Sequence, residues 1–155
     1  MGHASAIALG LALSKPGRDV YCVDGDGAMA MHLGNVLTAG ITAASNFKHV
    51  VVNNNAHESV GAQPTGMGTV DVPAIARGAG YTWAETVSPQ APEDARFDDG
   101  VGTQELCSKL AELKSAEGPA LLEIRTRTGA RTDLGRPTST PMDNKAALMG
   151  FFRQN

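Results

Sequence analysis

Apolar residues recur along the chain in two alternating patterns, one with helical spacing and one of short continuous runs. Between Ala4 and Leu13 small and apolar positions follow helical spacing until Lys15-Pro16-Gly17 ends the run. Residues 19–24 then form a short apolar run that is typical of a buried strand. The same patterns predict helices at 4–13, 28–39, 72–80 and 103–115, and strands at 19–24, 48–52, 81–87 and 120–126.

This alternation of strands and helices predicts the fold class. Parallel neighbouring strands need long crossover connections, and helices of this length supply them. We therefore predict an α/β fold, a doubly wound and mostly parallel sheet with helices on both faces. Residues 88–102, rich in Pro, Asp and Gly, predict an exposed acidic loop. No second compositional block is visible, which predicts a single domain over residues 1–155.

Composition and charge narrow the classes of partner. The 155 residues are 42% hydrophobic, enough for one substantial core, and the formal charge of -3 argues against nucleic-acid binding. The sequence has no apolar run of about 18 residues and no basic leader segment, so we expect no membrane partner. Cys22 and Cys107 lie in strand-like and helix-like runs, which predicts reduced, packed thiols and a cytoplasmic location.

Several methionines and histidines suit structural roles. The positions expected to fill the core are Met29, Met31 and Leu33. Three of the histidines are expected on helix or strand surfaces, and no spacing typical of a zinc site joins them: His3, His32 and His49.

The most informative polar residues follow two predicted strands. Ligands of an open parallel sheet bind beyond the carboxyl ends of its strands. Asp26 lies in the turn that opens the second helix, where the backbone N–H groups of Gly27 and Ala28 could hold a phosphate. A carboxylate would repel that phosphate unless a hard divalent cation bound both. The Gly25-Asp26-Gly27 turn therefore predicts a magnesium site.

The end of the next strand offers further oxygen ligands. Asn53-Asn54-Asn55 directly follows Val52, and three asparagines exceed what strand termination requires. The Asn54 side-chain oxygen and the Ala56 backbone carbonyl could join Asp26 and two phosphate oxygens around Mg²⁺.

Gly25-Asp26-Gly27, then 25 residues, then Asn53-Asn54, resembles the signature of thiamine-diphosphate-dependent enzymes. The resemblance implies a cofactor, thiamine diphosphate with Mg²⁺, and implies that Asp26, Asn54 and the Ala56 carbonyl bind the metal. Gly25, Gly27 and Ala28 would lie beside the diphosphate. Met1-Gly2-His3 resembles the end of a family segment that supports the bent cofactor, so these residues are also candidates for cofactor binding.

Two longer segments narrow the resemblance. Residues 55–65 and 129–141 resemble phosphonopyruvate decarboxylases and, less closely, sulfopyruvate decarboxylases, although Ala62 stands where those relatives have glycine. The resemblance implies decarboxylation of 3-phosphonopyruvate to phosphonoacetaldehyde, a small anionic 2-oxoacid as substrate. Arg131 and Arg136 are candidates for binding its phosphonate because guanidinium groups match such oxygens. His57 and Glu58 follow the metal-binding turn and are candidates for proton transfer.

The resemblance also implies a missing component. In the family the glutamate that activates the cofactor belongs to a separate pyrimidine-binding domain. We therefore expect the chain to lack its N-terminal edge and to need that domain, from another chain or from a missing part of this one, in a homo- or hetero-oligomer. Activity without that domain is not expected.

Three kinds of alternative function remain open at the level of sequence. Within the family, the chain could be the beta subunit of a sulfopyruvate decarboxylase or could serve acetolactate-type carboligation. Outside it, Gly25, Gly27 and Ala30 also satisfy a dinucleotide-binding pattern, but residues 28–57 hold no acid for the ribose. A noncatalytic or remnant cofactor-binding module is the third alternative, and dependence on an added partner chain would test it.

Overall fold

The structure, a computed structural model, describes residues 1–89, 102–129, 133–135 and 137–154. The helices are α1 (Ala4–Ser14), α2 (Asp26–Met31), α3 (Gly34–Thr42), α4 (Val72–Ala79), α5 (Thr103–Ser115) and α6 (Pro141–Gln154). The strands are β1 (Val20–Gly25), β2 (Phe47–Asn53), β3 (Ala56–His57), β4 (Gln63–Pro64), β5 (Trp83–Val87) and β6 (Ala120–Arg125). Two short 3-10 helices, Glu58–Val60 and Met67–Thr69, lie between β2 and α4.

The main sheet in the described part of the chain has four strands in the order β1-β2-β6-β5. All three pairings are parallel, as the alternation of strands and helices predicted. The carboxyl ends of the strands therefore meet at one edge of the sheet. The pair β3 and β4 is antiparallel and forms a separate hairpin in the loop that follows β2.

Helices cover the two faces of this sheet unequally. The larger core lies under α1, α3 and α4 and includes Leu9, Val36, Phe47 and Ala76. The smaller core lies under α5, where Leu113 packs with residues of β2, β5 and β6. The α/β class with helices on both faces is confirmed, although Tyr21 and Val23 on β1 remain 46% and 67% exposed.

The predicted helix over residues 28–39 is wrong in one respect, because it is interrupted at His32 and Leu33. The side chain of Asn35 anchors the start of α3 by donating to the carbonyl of Gly2 and the hydroxyl of Ser5, both at 3.1 Å. Because the helix is interrupted, α2 and α3 each bury their own set of residues. Met29 is buried as expected, whereas Met31 and Leu33 face solvent and are not core residues.

Two other burial predictions are also wrong. Cys107 is exposed on α5, although both cysteines are free and Cys22 is buried as expected. His49 is 1% exposed rather than on a surface, because β2 is a central strand with a helix-covered face.

Helix α6 was not predicted, although its start carries a recognisable signal. The Thr140 hydroxyl accepts from the Asp143 N–H at 3.2 Å, and the Asp143 carboxylate accepts from the Thr140 N–H at 3.1 Å. Pro141 occupies the first helical position, which suits a residue that lacks an N–H. Within the described residues, no helix is long and apolar enough to cross a membrane.

Candidate functional site

The ends of β1 and β2 bring the two predicted metal-binding segments to the same edge of the sheet. Gly25 at the end of β1 is the register partner of Val52 near the end of β2. Asp26 follows one of these residues and Asn53-Asn54 the other. The neighbouring positions arise because the strands are parallel and adjacent, which the sequence could indicate only indirectly.

Asp26 is the first residue of α2 and is only 3% exposed. Its carboxylate accepts a hydrogen bond from the Thr65 hydroxyl, with 2.5 Å between the two oxygens. The N–H of Thr65 in turn donates to the Asn55 carbonyl at 3.1 Å. Thr65 therefore fastens the first residue of α2 to the asparagine turn.

Asn53 shapes the turn rather than facing the site. Its amide donates to Glu123 at 2.6 Å and to the Met67 carbonyl at 3.2 Å. Its oxygen accepts from the backbone N–H of Asn55 at 3.0 Å. All hydrogen-bonding groups of this buried side chain are thus committed, and Asn55 adopts a left-handed backbone with φ of 57°.

Asn54 is half-buried and connects the turn to the residues that follow it. Its side-chain oxygen accepts from the Ala56 N–H at 3.0 Å and its nitrogen donates to Glu58 at 3.3 Å. The same oxygen of Glu58 accepts from the Gly129 N–H at 2.7 Å. Glu58 therefore links the asparagine turn to the segment that begins at Gly129.

His57 lies against the start of α2. A Cβ atom added to Gly27 would stand 2.4 Å from both Cε1 and Nδ1 of the His57 ring and 3.2 Å from the Thr65 methyl group. Only a residue without a side chain fits at Gly27. The imidazole therefore packs against the backbone of the first turn of α2 at Gly27.

The N-terminal residues pack against the other end of the same short helix. Gly2 is buried with φ of 82°, and an added Cβ would lie 2.3 Å from the His32 ring and 2.7 Å from the Ala28 carbonyl. The rings of His3 and His32 are 4.4 Å apart between centroids. Met1, by contrast, is 60% exposed. The structure thus places Gly2 and His3, two of the three predicted N-terminal cofactor residues, beside α2.

The predicted substrate residues Arg131 and Arg136 lie outside the described residues, as does most of the predicted acidic loop at 88–102. Arg125, from the same arginine-rich segment, is described. Its Nε lies 3.3 Å from the Glu123 carboxylate, and its Nη2 donates to the Val70 carbonyl at 3.4 Å.

The sequence patterns missed Thr65 and Glu123. Thr65 lies in a loop, and only the fold shows that its hydroxyl reaches Asp26. Glu123 gives a detectable signal, since an acid inside the apolar strand β6 needs buried partners. Those partners are Asn53 and the Thr86 hydroxyl, each at 2.6 Å.

Residues 1–124 match the family model described as thiamine pyrophosphate enzyme, C-terminal TPP binding domain. The chain therefore belongs to this family of cofactor-binding domains.

Among curated relatives, the chain is 36% identical to phosphonopyruvate decarboxylase of Streptomyces viridochromogenes, over 97% of this chain and 34% of that protein. It is 40% identical to sulfopyruvate decarboxylase subunit beta of Methanothermobacter thermautotrophicus, over 52% of this chain and 43% of that one. The chain spans about a third of the first relative's length and less than half of the second's.

A solved structure shares the fold. It is a Mycobacterium smegmatis protein described as "a putative thiamin diphosphate-dependent enzyme", with a TM-score of 0.63 and 25% identity. The match covers 83% of this chain and 22% of that one.

Proposed function

We propose that this chain forms the diphosphate- and magnesium-binding half of a thiamine-diphosphate site that decarboxylates 3-phosphonopyruvate. The observation that carries the proposal is the bond from Thr65 to Asp26, because it fastens the start of α2 to the asparagine turn. Family membership supports the thiamine diphosphate part of the proposal. The 36% identity to a phosphonopyruvate decarboxylase supports the substrate.

The donor set at this edge suits Mg²⁺. Asp26 offers a buried carboxylate, Asn54 an amide oxygen and Ala56 a backbone carbonyl, and all three are hard oxygen ligands. The Thr65 hydroxyl binds Oδ2 of Asp26, and the other carboxylate oxygen could bind a cation. The Asn54 oxygen accepts one hydrogen bond from Ala56 and keeps a second lone pair.

The start of α2 suits a diphosphate. Gly25, Gly27 and Ala28 present backbone rather than bulky side chains, and the first N–H groups of a helix lack partners within it. Gly2 and His3 pack against the same helix, which is consistent with a role of Met1, Gly2 and His3 beside the cofactor. A cation held by Asp26 would offset the repulsion between its carboxylate and the phosphates.

Held by these residues, the cofactor would supply a thiazolium, which serves as an electron sink in decarboxylation. His57 would hold or donate a proton beside the start of α2, where Gly27 gives its ring room. Glu58 would keep Asn54 oriented through the 3.3 Å contact between their side chains.

The contact between Glu58 and Gly129 supports a substrate role for the residues that follow. Gly129, which precedes Arg131 and Arg136 in the sequence, donates to Glu58 and therefore lies close to the asparagine turn. The guanidinium groups of Arg131 and Arg136 would bind the phosphonate of the substrate. A sulfonate presents similar oxygens, so a sulfopyruvate decarboxylase subunit beta is the second candidate, supported by 40% identity over 81 residues.

A complete site needs a second component under this proposal. A pyrimidine-binding domain, from another chain or another part of the same protein, would supply the carboxylate that activates the cofactor. The assembly would be a homo- or hetero-oligomer located in the cytoplasm.

Calorimetry on the 155-residue chain tests the metal and diphosphate assignments. Pyrophosphate and thiamine diphosphate should each bind when Mg²⁺ is present and not when EDTA is added. NAD should not bind. The Asp26→Ala variant should lose this binding, whereas Asp19→Ala, which removes an exposed acid outside the site, should retain it. Undiminished binding by Asp26→Ala would refute the metal assignment.

Turnover tests the substrate. The chain, assembled with its pyrimidine-binding component, should decarboxylate phosphonopyruvate with a higher kcat/KM than sulfopyruvate. Arg131→Ala and Arg136→Ala should raise KM for either acid. A preference for sulfopyruvate would replace the first candidate with the second.

A further inference from the structure

A second group of ligand-type side chains lies inside the core, apart from the proposed magnesium site. Cys22 and Asp24 alternate along β1 and therefore point to the same face of the sheet. His49 on β2 is the register partner of Cys22. The ligand atoms of the three residues all lie within 4.8 Å of one another, and all three residues are buried.

The hydrogen bonds of this group are incomplete. Neither ring nitrogen of His49 has a partner within the described residues, and neither does Oδ2 of Asp24. The shortest approach between them, from Nε2 to Oδ2, is 3.7 Å, which is too long for a hydrogen bond. A buried polar group left without a partner destabilises the fold, so an arrangement of this kind indicates an additional ligand.

We propose that Cys22, Asp24 and His49 bind a transition-metal ion, for which Zn²⁺ fits best. Thiolate, imidazole and carboxylate are the side chains that bind zinc, and structural sites hold it with four ligands. The fourth position is open to water or to the Tyr81 hydroxyl, which belongs to the same buried cluster as Cys22 and has no partner among the described residues. The ion would join β1 to β2 just below the edge where Asp26 and Asn54 lie.

The proposed zinc site is chemically distinct from the magnesium site. A thiolate and an imidazole favour a softer ion than Asp26, Asn54 and a carbonyl do. Burial and the neighbouring Asp24 raise the pKa of Cys22 to about 11, so its thiol is protonated without a cation. A bound metal reverses that preference by stabilising the thiolate. The simpler arrangement, an Asp24–His49 pair bridged by buried water, makes the opposite experimental prediction.

Spectroscopy with Co²⁺ decides between these arrangements. The metal-stripped 155-residue chain is titrated with Co²⁺ in excess Mg²⁺, which occupies hard oxygen sites. We expect one equivalent to bind and to produce the thiolate-to-cobalt charge-transfer band with the strong visible bands of a tetrahedral ion. Zn²⁺ should abolish both signals. Failure of the wild-type chain to bind, or binding without the charge-transfer band, would overturn the proposal.

The two cysteines of the chain provide a matched pair of variants. Cys107→Ser removes the exposed thiol and should keep the charge-transfer band, which can then arise only from Cys22. Cys22→Ser should lose it. If Cys22→Ser does not fold, the band in Cys107→Ser still decides the outcome. Loss of the band in Cys107→Ser, or in Asp26→Ala but not in His49→Gln, would refute the site.

Discussion

The carboxylate of Glu123 accepts a hydrogen bond from the side-chain amide of Asn53 at 2.6 Å, between the adjacent strands β6 and β2. Glu123 is completely buried. Because Asn53 also accepts from the Asn55 N–H, this single bond connects the sheet interior to the turn that carries Asn54. A buried acid on β6 thus orients the proposed metal-binding turn that follows β2, its neighbour in the sheet.

Replacing Glu123 should therefore weaken both the fold and the site. In Glu123→Gln the negative charge that strengthens the bonds from Asn53 and Thr86 and pairs with Arg125 is lost, and the new amide nitrogen can meet Thr86 only if that hydroxyl turns to accept. We expect a loss of about 2 kcal/mol in the free energy of unfolding and weaker Mg²⁺-dependent pyrophosphate binding. Urea unfolding and calorimetry measure the two effects. Glu85→Gln, at an exposed position of β5, should change neither; equal effects in both variants would contradict this role.

A methyl group at Gly27 should displace His57. The added carbon of Gly27→Ala would lie 2.4 Å from two ring atoms, a distance at which the imidazole must move. We expect at least about tenfold weaker Mg²⁺-dependent pyrophosphate binding, a loss of about 1.4 kcal/mol. Gly34→Ala is the control, because its methyl group would meet nothing within 4 Å. Wild-type binding by Gly27→Ala would show that this close approach does not shape the site.

The sequence patterns located the strands and helices well because burial follows periodicity, as the match of α5 to residues 103–115 illustrates. The patterns were wrong where tertiary contacts determine the structure. Helix α3 is separate from α2, and Asn35 at its start is bound to Gly2 and Ser5, which lie about 30 positions away in the sequence. The start of α6, in contrast, was detectable from Thr140, Pro141 and Asp143 alone.

The candidate site also combines features that the sequence could predict with contacts that it could not. Asp26 and Asn54 could be predicted to lie at one edge because both directly follow strands, and strand ends share an edge in a parallel sheet. Contacts across the sheet depend on register, which no short motif encodes. Cys22 and His49 are 27 positions apart in the sequence and become partners only when β1 pairs with β2. Arg131 and Arg136 remain predictions.

The Thr65 hydroxyl should matter more than other threonines of its loop. Thr65→Val keeps the shape of the side chain but leaves the buried Asp26 carboxylate without its donor. Since residues that orient metal ligands typically contribute about 10- to 100-fold to affinity, we expect a loss of that size for Mg²⁺. Thr69→Val, which removes only a bond to the Gly66 carbonyl, should bind normally. Equal Mg²⁺ affinities in titrations of the two variants would show that the Thr65 hydroxyl does not contribute to the site.

Tyr81→Phe should stabilise the metal-free chain. The Tyr81 hydroxyl is buried without a partner among the described residues, so removing it relieves a desolvation penalty of about 1 kcal/mol. Burial, and secondarily the charge of Cys22, raises the pKa of Tyr81 above its ordinary value of 10.0. The unfolded chain therefore loses this proton near pH 10 while the folded chain keeps it, and stability falls as pH rises beyond that point.

The variant should consequently show a shallower decline in unfolding free energy above pH 10 than the wild type. Tyr21→Phe is the matched control for stability below pH 10, because that ring is 46% exposed and replacing it should leave stability there unchanged. Urea unfolding at several pH values measures both effects. A less stable Tyr81→Phe would show that the hydroxyl has a partner. If the loss appeared only after Zn²⁺ was added, that partner would be the ion bound by Cys22, Asp24 and His49, with Tyr81 as its fourth ligand.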